Sequence, residues 1–225
     1  MIIAIDGPAG AGKSTVSRLL AQRLGCVRID TGALYRAVAL AATRQGVPPV
    51  DGPALEAFVR GLDLRVEPDA LHLDGEDVSQ AIRAPEVGLQ ASNYAALPAV
   101  RAGLFDLQRR LGRSRDSVLD GRDIGTVVFP DADAKLYLTA SAEERARRRH
   151  AELVAQGVSS DYAVVLHEIV LRDDQDMRRA VAPLKRAPDA DLIDATHLTL
   201  DETVEACLMA VRARLPRRAS RKAGT

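Results

Sequence analysis

The chain opens on an apolar run, MIIAI, cut off by Asp6-Gly7-Pro8. Apolar residues without alternation, followed by turn formers, predict a short strand buried on both faces. The pattern then turns helical. Val16, Leu19, Leu20 and Leu24 fall on one face and Gly25 is a natural stop, which predicts a helix over 13–24. Residues 31–45 read as a second helix, with Thr31 as its capping residue and Gly46 and Pro48 as terminators. Between 62 and 79, LDLRVEPDALHLDGEDVS alternates apolar and polar positions around the turns Glu-Pro-Asp and Asp-Gly-Glu. That pattern predicts a small antiparallel meander inserted in a helical region.

Helical stretches follow to about 111, and SVLD and AKLYLTA then read as strands. A polar, Arg-rich helix is predicted over 141–155, broken at 157–160, with a long helix over 161–181. ADLIDAT reads as a last short strand and 200–215 as a last helix. On the long helix, Leu166, Val170, Met177 and Val181 are expected to form the apolar stripe. Arg172, Asp176 and Arg179 then share a face of their own, while Asp173, Asp174 and Arg178 point elsewhere. By spacing alone, such an Arg–Asp–Arg set reads as a surface ion-pair ladder. Short apolar strands alternating with helices imply an α/β fold: a central parallel sheet covered on both faces by helices. The meander would project from it. No internal repeat is seen, and the final PRRASRKAGT is expected to be a solvated, disordered tail.

Composition narrows the function. With 225 residues, 47% of them hydrophobic, the chain can build one sizeable core, here expected as a single domain over 1–215 with insertions. The 31 basic and 31 acidic residues cancel, which argues against a nucleic-acid polymer or an anionic membrane as partner. A small anionic ligand needs only a local cluster and stays open. Cys26 and Cys207 lie far apart and form no CxxC, so neither a disulfide nor a metal site is expected. There is no charged leader and no apolar run of ~20 residues. The cytoplasm is the expected compartment.

One motif carries chemistry outright. GPAGAGKS, from Gly7 to Ser14, matches G-x-x-x-x-G-K-[ST] in full. It sits between a predicted strand and a predicted helix, the context the motif requires. The loop Gly7, Pro8, Ala9, Gly10, Ala11, Gly12 would turn backbone N–H groups inward around phosphate oxygens, and the helix start that carries Thr15 would add positive potential. Lys13 would reach the β- and γ-phosphates, and Ser14 would offer its hydroxyl to Mg2+. Asp120, ending the strand SVLD, could orient the same ion or could be a turn residue before Gly121. The motif points to a nucleoside triphosphate such as ATP. It says nothing of what receives the phosphoryl group.

GPAGAGKST, DTGALYR, QASN, DGRDIGTVVFPDA, SAEERARRR and RDDQDMRRAVAPL occur in that order, and together they resemble bacterial cytidylate kinases, of the P-loop nucleoside monophosphate kinase family. The likeness runs from residue 2 to about 212. It implies Mg2+-dependent transfer of the ATP γ-phosphoryl group to CMP or dCMP. It further implies a nucleoside-monophosphate-binding insert over about 35–112 and a short lid over about 147–160. By resemblance, Arg36, Arg122 and Arg172 hold phosphate oxygens, which suits planar guanidinium forks. Lys13, Arg122 and Arg172 are the catalytic set, and Thr31 belongs to the acceptor site. Asp123, with Ser92 beside it and Arg101 on the ring acceptors, would distinguish cytosine from uracil. Asp176 and Arg179 would bind the acceptor's sugar. Read without the family, Ser92 is a helix cap and Arg101 an exposed helix residue. No lid arginine is assigned, and a monomer is expected.

Three other readings compete. A related kinase could act on UMP, AMP or shikimate. A nucleotide-dependent switch could bind ATP or GTP without an acceptor, although no N/T-K-x-D guanine motif is evident. RNA binding through the basic tail finds no support in neutral charge and scattered aromatics.

Overall fold

A computed structural model describes residues 1–67 and 70–215. The predicted turn at 68–69 and the predicted tail at 216–225 lie outside the described residues. In chain order the elements are β1 (Ile2–Asp6), α1 (Lys13–Leu24), β2 (Val27–Asp30), α2 (Thr31–Gln45), α3 (Pro53–Gly61), β3 (Leu64–Val66), β4 (Leu71–Leu73) and β5 (Glu76–Asp77). After a short 3-10 turn come α4 (Pro85–Ala95), α5 (Pro98–Ser114), β6 (Ser117–Gly121), a π-helical turn at Ile124–Val128, β7 (Ala134–Thr139), α6 (Ala142–Ala155), α7 (Tyr162–Arg178), β8 (Asp191–Asp194) and α8 (Leu200–Arg214).

Five strands form one sheet in the order β2-β6-β1-β7-β8. Every pairing in it is parallel. Ile3, Ala4 and Ile5 are fully buried, as a central parallel strand requires. On one face Val16 and Leu20 of α1 and Val204, Cys207 and Val211 of α8 pack on the strands. On the other, Phe129 and Ile124 close over Ala4 and Leu119. The predicted meander is present as β3-β4-β5, an antiparallel sheet of three strands. Leu71 and Leu73 bury one of its faces in a separate apolar cluster with Val38 of α2, Val59 of α3 and Leu104 of α5. Cys207 sits in that first core, where burial pushes its thiol up to about 12. It is chemically inert there.

β1 is the switch point of the sheet. The chain runs outward from it to β2 on one side and to β7 and β8 on the other, and ligands of open α/β sheets gather outside the carboxyl ends at such a point. Asp6, Asp30 and Asp120 stand there. Asp30 and Asp120 are register partners on β2 and β6, and Asp6 of β1 is level with Gly121.

Several expectations are corrected. β2 was not expected from the sequence. Asp30, not Thr31, caps α2: its Oδ1 accepts the Ala33 N–H at 3.0 Å, and Thr31 is already helical. The long helix ends at Arg178 rather than at 181, because Pro183 cannot continue it. The chain instead turns through Ala182, held in the left-handed region at φ 50°. Arg179 Nε donates to the Ala182 carbonyl at 2.6 Å and helps hold this strained turn. The apolar stripe is also elsewhere. Val165 and Ile169 are the buried positions of α7, whereas Val170, Met177 and Val181 are exposed.

Candidate active site

The phosphate loop is formed by the residues that its motif names. Gly7 has φ 153°, and a Cβ there would lie 1.9 Å from the Leu138 carbonyl oxygen, so no side chain fits. Gly10 and Gly12 also take left-handed conformations, and Gly12 opens α1. Lys13 is 7% exposed, and its Nζ donates to the Pro8 carbonyl at 2.6 Å. Burial pushes its pKa well below the usual lysine value, and repulsion from Arg122 adds to the shift. An anion in the loop would reverse that penalty.

Ser14 and Asp120 come together as the sequence suggested. Ser14 Oγ donates to Asp120 Oδ2 at 3.1 Å, and Ser17 Oγ donates to Oδ1 at 2.7 Å. Arg28 Nε reaches the same Oδ1 at 3.1 Å. Thr31 Oγ1 donates to the Asp120 backbone carbonyl at 2.7 Å, pinning α2 to β6. A hydroxyl beside one carboxylate is a hard-oxygen donor set of the kind Mg2+ takes when phosphates complete the shell.

A cleft of about 510 Å³ runs from this loop to the far end of α7. Thr31, Arg36, Ser92, Arg101, Arg122, Asp123, Arg172, Asp176 and Arg179 all line it. So do Ala9, Gly10, Gly12, Lys13, Ser14, Thr15 and Asp120, while Gly7, Pro8 and Ala11 of the loop do not line it. Two tiers of charge are visible. In the tier next to the loop, Arg36 Nη2 donates to Asp30 at 3.0 Å and Arg122 Nε to Asp176 at 2.7 Å. Burial alone would raise the Asp176 carboxyl, but Arg122, Arg179 and Arg172 outweigh it and hold it below the usual range. Arg172 is the exception to this pairing. Its Nε is buried without a partner, and burial plus repulsion from Arg122 bring its pKa down to about 10.

In the far tier Asp123 is 4% exposed and paired with both Arg101 and Arg179. The Arg101 guanidinium lies 5.4 Å from the centroid of the Tyr35 ring, a cation–π contact, so Arg101 is buried and not the exposed helix residue that spacing alone suggests. Ser92 is mid-helix in α4, half-buried, with only a long 3.5 Å contact to the Gly88 carbonyl, so it is no helix cap. Tyr35, Arg148, Arg149 and Glu152 line the cleft too and were not singled out from sequence. Tyr35 stands between Gly32 and Arg36 on α2, one residue before an assigned arginine, which was the available signal.

Asp6 was also missed. It is 4% exposed and accepts the Ile124 and Gly125 N–H groups at 2.8 and 2.7 Å, which fixes the turn that presents Asp123. Burial raises its pKa to about 6; the two N–H groups and Lys13 oppose the shift and Asp123 adds to it. Its folded pKa therefore lies above the unfolded value of 3.8. Between these values the folded state binds more protons, so the contribution of Asp6 to stability increases as pH falls through about 6. Asp176 and Asp30 act oppositely and lose their contribution below about 4. Melting temperatures of the wild type and Asp6→Asn at pH 7 and 5 check this. The difference, wild type minus variant, is expected to move in favour of the wild type at pH 5.

A family model described as cytidylate kinase matches residues 3–213. A cytidylate kinase from Geobacter sp. is 49% identical over 219 residues, covering 96% of this chain and 94% of the relative. One from Pseudomonas aeruginosa is 50% identical over 210 residues, covering 91% of this chain and 92% of the relative. Among solved structures, an uncharacterized protein from Eubacterium ventriosum aligns with TM-score 0.53 at 14% identity, over 95% of this chain and 98% of that one. That last likeness concerns the fold alone.

Proposed function

This chain belongs to the cytidylate kinase family, and from that premise we propose that it transfers the γ-phosphoryl group of ATP to CMP or dCMP, giving ADP and CDP or dCDP. The phosphate loop takes the ATP phosphates, with Lys13 at the β- and γ-phosphates. Ser14 and Asp120 would hold Mg2+, which would supply charge neutralisation for the phosphates when bound. Arg36, Arg122 and Arg172 receive the acceptor phosphate. Asp176 and Arg179 take the sugar. Asp123, Arg101 and Ser92 read the base.

The observation that carries this reading is Arg172. A guanidinium with a buried, unpartnered Nε, its pKa lowered first by burial and then by its neighbour Arg122, is a cation short of an anion. Lys13 and Arg36 line the same cleft. Two polyanions meeting end to end would supply the missing charge. Phosphoryl transfer asks mainly for such positioning and neutralisation, with no covalent intermediate on the protein. All proposed groups lie in one chain, and we further propose a monomer acting in the cytoplasm. No helix among the described residues is long and apolar enough to cross a membrane. Arg148 and Arg149, midway along α6, line the cleft and are consistent with a lid over about 147–160 that closes on ATP and limits hydrolysis.

A coupled ADP-release assay across CMP, dCMP, UMP, AMP and GMP tests the proposal. ADP production without dependence on any of them would sink it and favour a nucleotide switch. In the same assay Asp176→Asn and Arg179→Ala are expected to lower kcat/KM for CMP by roughly 10–100-fold, the size of a lost hydrogen bond to a charged group. Arg178→Ala is the control. Its side chain is 79% exposed and pairs only with Asp174, so it should stay near wild type.

A further inference from the structure

We infer that Arg145 and Asp173 form a positioning pair that ties the ATP-phosphate loop to the helix carrying the acceptor-phosphate arginine; the inference rests on the kinase reading above. α6 is rich in arginine, and most of its arginines are what such a helix leads one to expect. Arg147 is exposed and pairs with Glu144, and Arg149 pairs with Glu152. Arg145 differs in kind. Its side chain is 6% exposed, and its donors run to three separate segments. Nε donates to the Ala140 carbonyl at the β7–α6 junction at 2.8 Å, and Nη1 donates to the Ala9 carbonyl of the phosphate loop at 3.0 Å. Nη2 meets Asp173 Oδ2 on α7 at 2.6 Å. The stem is pressed against the loop as well: a Cβ at Gly10 would come within 3.2 Å of Arg145 Cβ.

Asp173 sits next to Arg172 and one turn before Asp176. Holding it inward fixes the rotation of α7, and with it the direction in which Arg172 and Asp176 face. The tie therefore sets the separation between the donor loop and the acceptor cations, the distance that an in-line transfer is most sensitive to. Displacement of reacting groups by 1 Å can cost about 10²-fold in rate.

Stability alone does not account for the pair. Taking both charges out of water is costly, and an apolar pair of similar volume is often as stable or more so. Asp173 also carries a cost that a purely structural pair has no reason to keep, since its Oδ1 is buried without a partner. What an apolar pair cannot do is hold two backbone carbonyls and a carboxylate of α7 at defined hydrogen-bond lengths.

The test compares Arg145→Met, Asp173→Leu, their double variant and the isosteric Asp173→Asn. Melting temperature, kcat, and KM for ATP and CMP are measured for each. The single variants leave one charge buried alone and are expected to lose both stability and turnover. The double variant removes both charges but also the donors to the Ala9 and Ala140 carbonyls, so it is expected to regain only part of the melting temperature lost in the single variants while its kcat stays about 10²-fold down, with smaller changes in either KM. Asp173→Asn, which keeps the shape and weakens the tie, is expected to fold and to lose about 10-fold in kcat. Recovery of both stability and kcat in the double variant, or full kcat in Asp173→Asn, overturns the inference and leaves the pair purely structural. Wild-type turnover on CMP in the same assay judges the kinase reading separately, so a loss confined to the variants cannot be confused with a failure of that reading.

Discussion

Lys13→Met is expected to remove ~10³-fold or more of the turnover and to leave the protein folded. The two halves of this expectation have one cause. Lys13 is 7% exposed, and among the described residues its ammonium has a single hydrogen-bond acceptor, the Pro8 carbonyl. Burial and the nearby Arg122 both disfavour its charge, and the opposing carboxylates Asp120, Asp176 and Asp6 do not offset them. In the absence of nucleotide the charged form is therefore a liability to the fold. Methionine has nearly the same length, no charge, and fills the same space. The melting temperature is expected to stay level or to rise. The chemistry has the opposite sensitivity. Negative charge shifts over the transferring phosphoryl group in the transition state, and a fixed cation in a water-poor loop is worth most at that moment. The loss should fall on kcat, with a smaller change in KM for ATP. Calorimetry and steady-state kinetics on the same preparation check both halves. A folded variant with near wild-type turnover would remove Lys13 from the catalytic set.

The phosphate loop was legible because it depends on local sequence: glycines where the backbone must turn left-handed, then a lysine opening a helix. The main strands were legible for a related reason, since a parallel sheet buries both faces and shows as uninterrupted apolar runs. β2 escaped because it is an edge strand of four residues, VRID, whose second residue looks like a surface arginine. Arg28 in fact turns inward to Asp120 and Asp30, and those two carboxylates outweigh burial and hold its pKa up. α7 failed more instructively. Reading a helix by its apolar stripe assumes that the face turned toward the protein is apolar along its whole length. Here that face starts with Val165 and Ile169 against α6, then continues at the same helical spacing as Arg172, Asp173 and Asp176. Its second half looks into a charged cleft. The apolar residues displaced from it, Val170 and Met177, are left in solvent. Asp173, which spacing pointed away from the face of Arg172 and Asp176, is for this reason turned inward and tied to Arg145.

Asp123→Asn is expected to lower kcat/KM for CMP by about 10²-fold while UMP loses little or gains. Cytosine presents an amino donor where uracil presents a carbonyl. The proposed carboxylate accepts from the first and repels the second; an amide of the same shape can turn its NH2 toward the uracil carbonyl. The surroundings decide which variant is informative. Asp123 is buried between Arg101 and Arg179, and its turn is held by Asp6. Asp123→Ala would strip both guanidiniums of this partner, at a cost of about 3–5 kcal/mol for breaking buried ion pairs. A loss on CMP in that variant would mix base reading with collapse of the site. Asparagine keeps an oxygen for one arginine and preserves the volume, so the ratio of the two substrates isolates the reading of the base. Measuring kcat/KM for CMP and UMP in wild type and Asp123→Asn, alongside melting temperatures, gives the answer directly. A fall shared equally by both substrates would mean that Asp123 serves only to anchor Arg101 and Arg179. A fall confined to CMP would assign the discrimination to this one carboxylate, because neither arginine can accept a hydrogen bond from the cytosine amino group.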